Sequence, residues 1–140
     1  MHNNRGVNNI FNRVFINSAA IIEIHVVGDQ TSDSVLDMAK SANRLMEQLR
    51  AEGAFVFVID NLKLMGETTP DARKVVAEYA KKLAFDRLAM VGDGSIIMRL
   101  TTNLMLRAIG KSNAKYFSSE ESAREWFLLF TPSATLTSQT

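Results

Sequence analysis

Apolar residues recur along this chain with two periods, and the period changes mark the elements. Asn12-Arg13-Val14-Phe15-Ile16 reads as a first strand. Ala20 to Val27 reads as a second, with Glu23 and His25 alternating with Ile22, Ile24 and Val26, so one of its faces meets solvent. Asn17-Ser18 between them predicts a tight turn and therefore an antiparallel hairpin. Gly28-Asp29-Gln30 breaks the second strand. Thr31, Ser32 and Asp33 then offer cap side chains to a long helix whose buried stripe is Val35, Met38, Ala42, Leu45 and Leu49, stopped by Gly53.

Ala54 to Ile59 is continuously apolar, as expected of a central strand covered on both faces, and Asp60-Asn61 closes it. Leu62 to Thr68 reads as a loop. Thr69 caps the next helix, with Pro70 at its first position and Asp71 facing the helix dipole. Arg87 to Val91 is a strand ended by Gly92-Asp93-Gly94. Ser95 opens a third helix that runs to Ile109 and stops at Gly110. Lys115-Tyr116-Phe117 is a short edge strand. Ser118 and Glu121 then form a capping box for a last helix with Ala123, Trp126 and Phe127 inside. The order ββαβαβαβα predicts an α/β fold: a mixed sheet with an initial antiparallel hairpin, then parallel right-handed crossovers, and four helices.

The third helix carries more apolar surface than one core face needs. Ile97, Leu100, Leu104 and Ala108 form one stripe, and Met98, Met105 and Ile109 widen it. Ile96 and Leu106 fall outside that arc. Such a helix is either deeply buried or meets a partner or an apolar ligand. The adaptable contact of methionine suits the second reading. The surface expected for a protein partner or an apolar ligand is Met98, Met105, Leu106 and Ile109, with Leu64 and Met65 from the preceding loop.

Composition narrows the function classes. A chain of 140 residues with 46% apolar content suits one domain, long enough to bury roughly two-thirds of its unfolded surface. The expected division is an arm over 1–11, a domain over 12–130 and a tail over 131–140. A net charge of +1 supplies no bulk attraction to nucleic acid or anionic membrane. The absence of cysteine excludes disulfides and thiolate metal sites and fits a reducing, cytoplasmic compartment. No apolar run reaches the length of a membrane span.

Catalytic motifs are sparse. The two histidines, His2 and His25, make no His-rich metal site, and no Ser-His-Asp set stands out. Asp60, Glu67, Asp71 and Asp93 fall near strand ends, where a hard cation would bind, yet their spacing matches no metal loop, and no metal or cofactor is expected. Gly92, Asp93, Gly94 and Ser95 form a turn that could present backbone N–H groups to an anion, or simply a tight turn and a cap. Thr68 and Thr69 stand at the positive end of a helix, where a phosphate would be stabilised; the structural alternative is that Thr69 is only a cap.

Several segments, in this order, resemble a known family. Ile24-His25-Val26-Val27-Gly28, Phe57-Val58-Ile59-Asp60, Leu88-Ala89-Met90-Val91-Gly92 and Phe117-Ser118-Ser119-Glu120-Glu121-Ser122-Ala123-Arg124-Glu125-Trp126 are similar to the corresponding stretches of SpoIIAA-like, STAS-type domains. The resemblance runs over residues 13 to 130. It implies the SpoIIAA-like fold and a regulatory module that binds proteins. It also implies a phosphorylatable hydroxyl in the stretch Gly66-Glu67-Thr68-Thr69-Pro70, with Glu67 standing for the family's Asp and Thr68 or Thr69 for its Ser. Here the family's Gly is missing and Pro70 takes its place. Another branch of the family implies a lipid-like or apolar ligand.

The leading expectation is thus a non-enzymatic binding or regulatory module that meets a protein partner or a second copy of itself. A carrier or sensor of a lipid-like or apolar small molecule is the alternative. An enzyme acting on a phosphorylated compound at the Gly92–Ser95 turn is the third.

Overall fold

The computed structural model describes residues 11–130. The elements follow in the order β1 (Arg13–Ile16), β2 (Ile22–Gln30), α1 (Ser32–Ala51), β3 (Phe57–Thr68), α2 (Pro70–Lys82), β4 (Arg87–Val91), α3 (Ile96–Ile109), β5 (Ala114–Phe117) and α4 (Glu120–Leu128). One five-stranded sheet runs β1-β2-β3-β4-β5; β1 and β2 are antiparallel and every later neighbour is parallel. The predicted mixed sheet and element order are those observed. Of the arm and tail expected at the termini, all but Phe11 lies outside the described residues.

Strand alternation divides the core in two. Ile22, Val26, Val58, Leu62, Leu88 and Met90 face α1, α2 and α3, where Ala42, Met46, Leu49, Ala80, Met105 and Ile109 close the larger cluster. Ile21, Ile59, Ala89 and Val91 face the opposite way and pack on Ala123 and Phe127 of α4. The central strand is covered on both faces, as its unbroken apolar run requires. α4 packs on β3, β4 and β5. Glu23 and His25 of β2 form a polar cluster with Asn17 of the β1–β2 connection: His25 Nε2 lies 2.9 Å from Glu23 Oε1, and Asn17 Nδ2 donates to Glu23 Oε2 at 2.7 Å. Burial pushes the Glu23 carboxyl up. The hydrogen bonds from His25 and Asn17, with the nearby charges of His25 and Arg124, outweigh it and hold the carboxyl below its ordinary value.

Local chemistry sets most boundaries. Thr31 Oγ1 accepts from Ser34 N–H while Ser34 Oγ accepts from Thr31 N–H, a capping box at α1. Thr69 Oγ1 accepts from Ala72 N–H above Pro70 at the first turn of α2. Gly110 ends α3 in the left-handed conformation at φ 70°. The cap of α4 is Ser119, one residue beyond the expected Ser118: its side chain accepts from Ser122 N–H. The β1–β2 connection is longer than a two-residue turn. Asn17 Oδ1 accepts from both Ala19 N–H and Ile21 N–H, and Ala20 adopts φ 62°.

The largest departure from the sequence expectation lies in β2 and β3. Gly28-Asp29-Gln30 does not end β2, and Leu62–Thr68 is not a loop. The two strands pair as far as Gln30 and Thr68 through register shifts on either side of Val27 and Gly28. These are β-bulges, which add a residue to one strand and bend the ladder without ending it. Glycine makes the approach possible: Gly28 sits at φ 75°, and a Cβ on Gly66 would stand 2.2 Å from Asp29 Oδ1. That oxygen accepts from Glu67 N–H at 2.8 Å and ties the extension together.

Candidate functional site

Two features are not needed to hold the fold together. The first is a partly open cavity of about 90 Å³ between the sheet and α1, α2 and α3. β3 places Asp60 in its wall. In the ladder Asp60 lies between Ile24 on β2 and Met90 on β4, so all three side chains project into the three-helix side. The walls are almost wholly apolar, and Met38, Met46, Met65, Met90 and Met105 contribute to them. Asp60 is half-buried as a residue and borders the cavity, but its Oδ1 is enclosed and meets no hydrogen-bond partner among the described residues. An ionised carboxylate without a partner is strongly disfavoured there. Burial accordingly raises the Asp60 pKa from 3.8 to about 7.

The remaining polar lining is mostly engaged elsewhere. Gln30 donates to Val27 and Gly28 carbonyls at 3.0 Å and accepts from Asn12 and Ser34. Thr68 directs its hydroxyl to Met65 Sδ at 3.6 Å. Thr68 and Tyr79 are half-buried lining residues.

The second feature is the outer side of α3. Ile96, Ile97, Leu100 and Leu104 are 76%, 78%, 60% and 65% exposed. The helix is therefore turned relative to the sequence expectation. The Ile97, Leu100, Leu104 and Ala108 stripe faces out; Thr102, Met105 and Ile109 are buried, with Met98 and Leu106 packed at their margin. Thr102 can sit in the core because its hydroxyl donates within the helix, lying 2.9 Å from Met98 O and 3.1 Å from Arg99 O. The surface expected at Met98, Met105, Leu106 and Ile109 is thus core-facing, with Met105 also in the cavity wall. Leu64 is 71% exposed on β3, while Met65 turns inward to the cavity.

The other sites expected from sequence lie apart from these two. At the Gly92–Ser95 turn, Gly94 N–H donates to Tyr116 Oη at 3.1 Å, Ser95 N–H to Asp93 Oδ1 at 2.9 Å and Met98 N–H to Ser95 Oγ at 3.1 Å. Gly92 N–H donates to Phe117 O. The N–H groups of Gly92, Gly94 and Ser95 are thus engaged within the protein, and Asp93 adds a negative charge at the turn. Hydrogen bonds from the Ser95 backbone and side chain hold the Asp93 carboxyl below its ordinary value. Asp60, Glu67, Asp71 and Asp93 do not converge: among the described residues no three acidic or imidazole side chains gather as a metal site. Thr69 is exposed at the start of α2. Sequence reasoning missed both the outward face of α3 and the inward aim of Asp60. The available signal for Asp60 was a carboxylate in phase with Val58 and Leu62.

These features define a small mixed-sheet α/β domain with an apolar cavity on one side of the sheet and an uncovered helix face. The chain belongs to the SpoIIAA-like family, whose model matches residues 21–128. Solved structures share the fold, among them the following two. An uncharacterised protein of Shewanella loihica PV-4 with a SpoIIAA-like fold is 18% identical, with a TM-score of 0.59 over 90% of this chain and 98% of that one. The anti-sigma factor antagonist SpoIIAA in its unphosphorylated form is 12% identical, with a TM-score of 0.56 over 85% of this chain and 99% of that one. A search of curated proteins gave no match. No helix among the described residues is long and apolar enough to cross a membrane.

Proposed function

We propose that this chain is a non-catalytic regulatory module that docks a protein through the outer face of α3. The observation that carries the reading is the row Ile96, Ile97, Leu100 and Leu104, each at least 60% exposed. Burying the exposed part of these aliphatic side chains would contribute about 1–2 kcal/mol apiece. Arg99, Asn103 and Arg107 are exposed on the same helix and supply polar groups around an apolar centre, the usual anatomy of an interface. The likeness to an anti-sigma factor antagonist supports a protein as the occupant. Within this reading Thr69 is the position for a phosphate switch: it is exposed at the start of α2, whereas the Thr68 hydroxyl turns towards Met65.

The test is a L100D/L104D double variant. Its unfolding free energy should stay within about 0.5 kcal/mol of wild type, because both side chains are solvent-facing. A photo-crosslinker at position 97 should capture a protein, or a second copy of this chain, in the wild-type background and lose it in the double variant. Equal crosslinking in both backgrounds would sink the proposal.

A second reading rests on the cavity: a carrier or sensor of an apolar small molecule. The predominantly apolar, methionine-rich lining favours it.

A further inference from the structure

We infer that the cavity beside Asp60 is a binding site for a small molecule with a short apolar body and a single hydrogen-bond-donating head, an alcohol or an amine, seated on the Asp60 carboxyl. The inference rests on the small-molecule reading above and deepens it by naming the head group.

Three observations lead to it. Asp60 Oδ1 is enclosed and unpartnered among the described residues. Its neighbours across the sheet, Ile24 and Met90, show that an aliphatic side chain suits this level of the strands. A buried acid that serves no internal hydrogen bond weakens the fold, and such groups recur where a ligand supplies the missing partner. The second observation is charge. The cavity wall contains no lysine, arginine or histidine, so the protein provides no counter-charge and the complementary group is a donor brought from outside. The third is size and adaptability. A cavity of about 150 Å³ takes benzene, so 90 Å³ suits a ligand of roughly four non-hydrogen atoms, and slightly more where the wall yields. The methionines of the wall, with three rotatable bonds each, can adjust to it. The raised pKa of Asp60 agrees with this geometry, since a neutral acid can bind an alcohol and a carboxylate can bind an ammonium.

The experiment follows the methyl signals of 13C-methionine-labelled full-length protein during titration with butan-1-ol, butylamine and pentane. Pentane matches the alcohol in length and lacks its donor. Wild-type protein and the D60L and D60N variants are compared, and the dispersion of their spectra establishes that each is folded. We expect the alcohol or the amine to shift the Met65 and Met90 signals saturably and more tightly than pentane. D60L should weaken that binding by at least about tenfold, the equivalent of about 1.4 kcal/mol. Pentane binding as tightly as both polar probes, or D60L binding the preferred polar probe as well as wild type, would overturn the inference while leaving a purely apolar carrier standing. No saturable shift with any probe would overturn both. Both polar heads donate to the Asp60 carboxyl, and the ionised carboxylate is the stronger acceptor, so the binding of either should tighten as pH rises through 7.

Discussion

Replacing Asp60 with asparagine tests the electrostatics of the core directly. The side chain keeps its size and loses its ionisation. In the unfolded chain the carboxyl titrates at its ordinary 3.8; in the folded protein burial raises it to about 7. Below the lower value both states carry the neutral acid and burial costs no charge. As pH rises from about 4 to 7, the unfolded chain ionises while the folded one keeps its proton, so stability falls. Above about 7 the full penalty applies. The gap is roughly three powers of ten in proton affinity, so the penalty is on the order of 4 kcal/mol. D60N escapes it. Urea unfolding followed through Trp126, the single tryptophan, should show the variant gaining on wild type steadily between pH 4 and 7 and levelling off above. Subtracting the two curves removes the titrations they share. A difference that changes by less than about 1 kcal/mol between pH 4 and 8 would refute the reasoning and mean that water in the cavity solvates the carboxylate.

Two further substitutions probe the surroundings of the sites. Gly92→Ala should destabilise by about 1–3 kcal/mol in thermal or urea unfolding, because the new methyl would stand 2.4 Å from Met98 Cγ and 2.8 Å from the Tyr116 ring. Glu23→Gln should cost about 1 kcal/mol at neutral pH through weakened hydrogen bonds to His25 and Asn17. Since the Glu23 pKa lies below its ordinary 4.5, the carboxylate's contribution is present above that value and is lost as pH falls through the lowered one; the variant and wild type should converge in acid unfolding.

Much of the molecule was determined by the sequence alone because the physics involved is short-range. Thr31, Thr69 and Ser95 each satisfy an N–H three residues on, Pro70 can only begin a helix, and Gly110 tolerates a left-handed turn; these need no distant partner. The strand–helix alternation, with right-handed crossovers, then leaves few topologies, and the observed strand order is one of them. Tertiary structure decided the rest. Gly28 reads as a break in isolation and Gly66 falls in a stretch that reads as a loop; both became part of one bulged ladder only because the facing strand supplied the pairing. α3 carries two apolar arcs, and its own sequence does not rank them. Packing against α2 and β5 selected the arc of Thr102, Met105 and Ile109, left Ile97, Leu100 and Leu104 outside, and tolerated a threonine within because its hydroxyl bonds the helix backbone. Asp60 follows the same rule. Its position after an apolar run suggested a strand end, and only the register with Ile24 and Met90 turned its carboxyl into the cavity. Periodicity tells which residues share a face; which face is buried depends on neighbours that are distant in the chain.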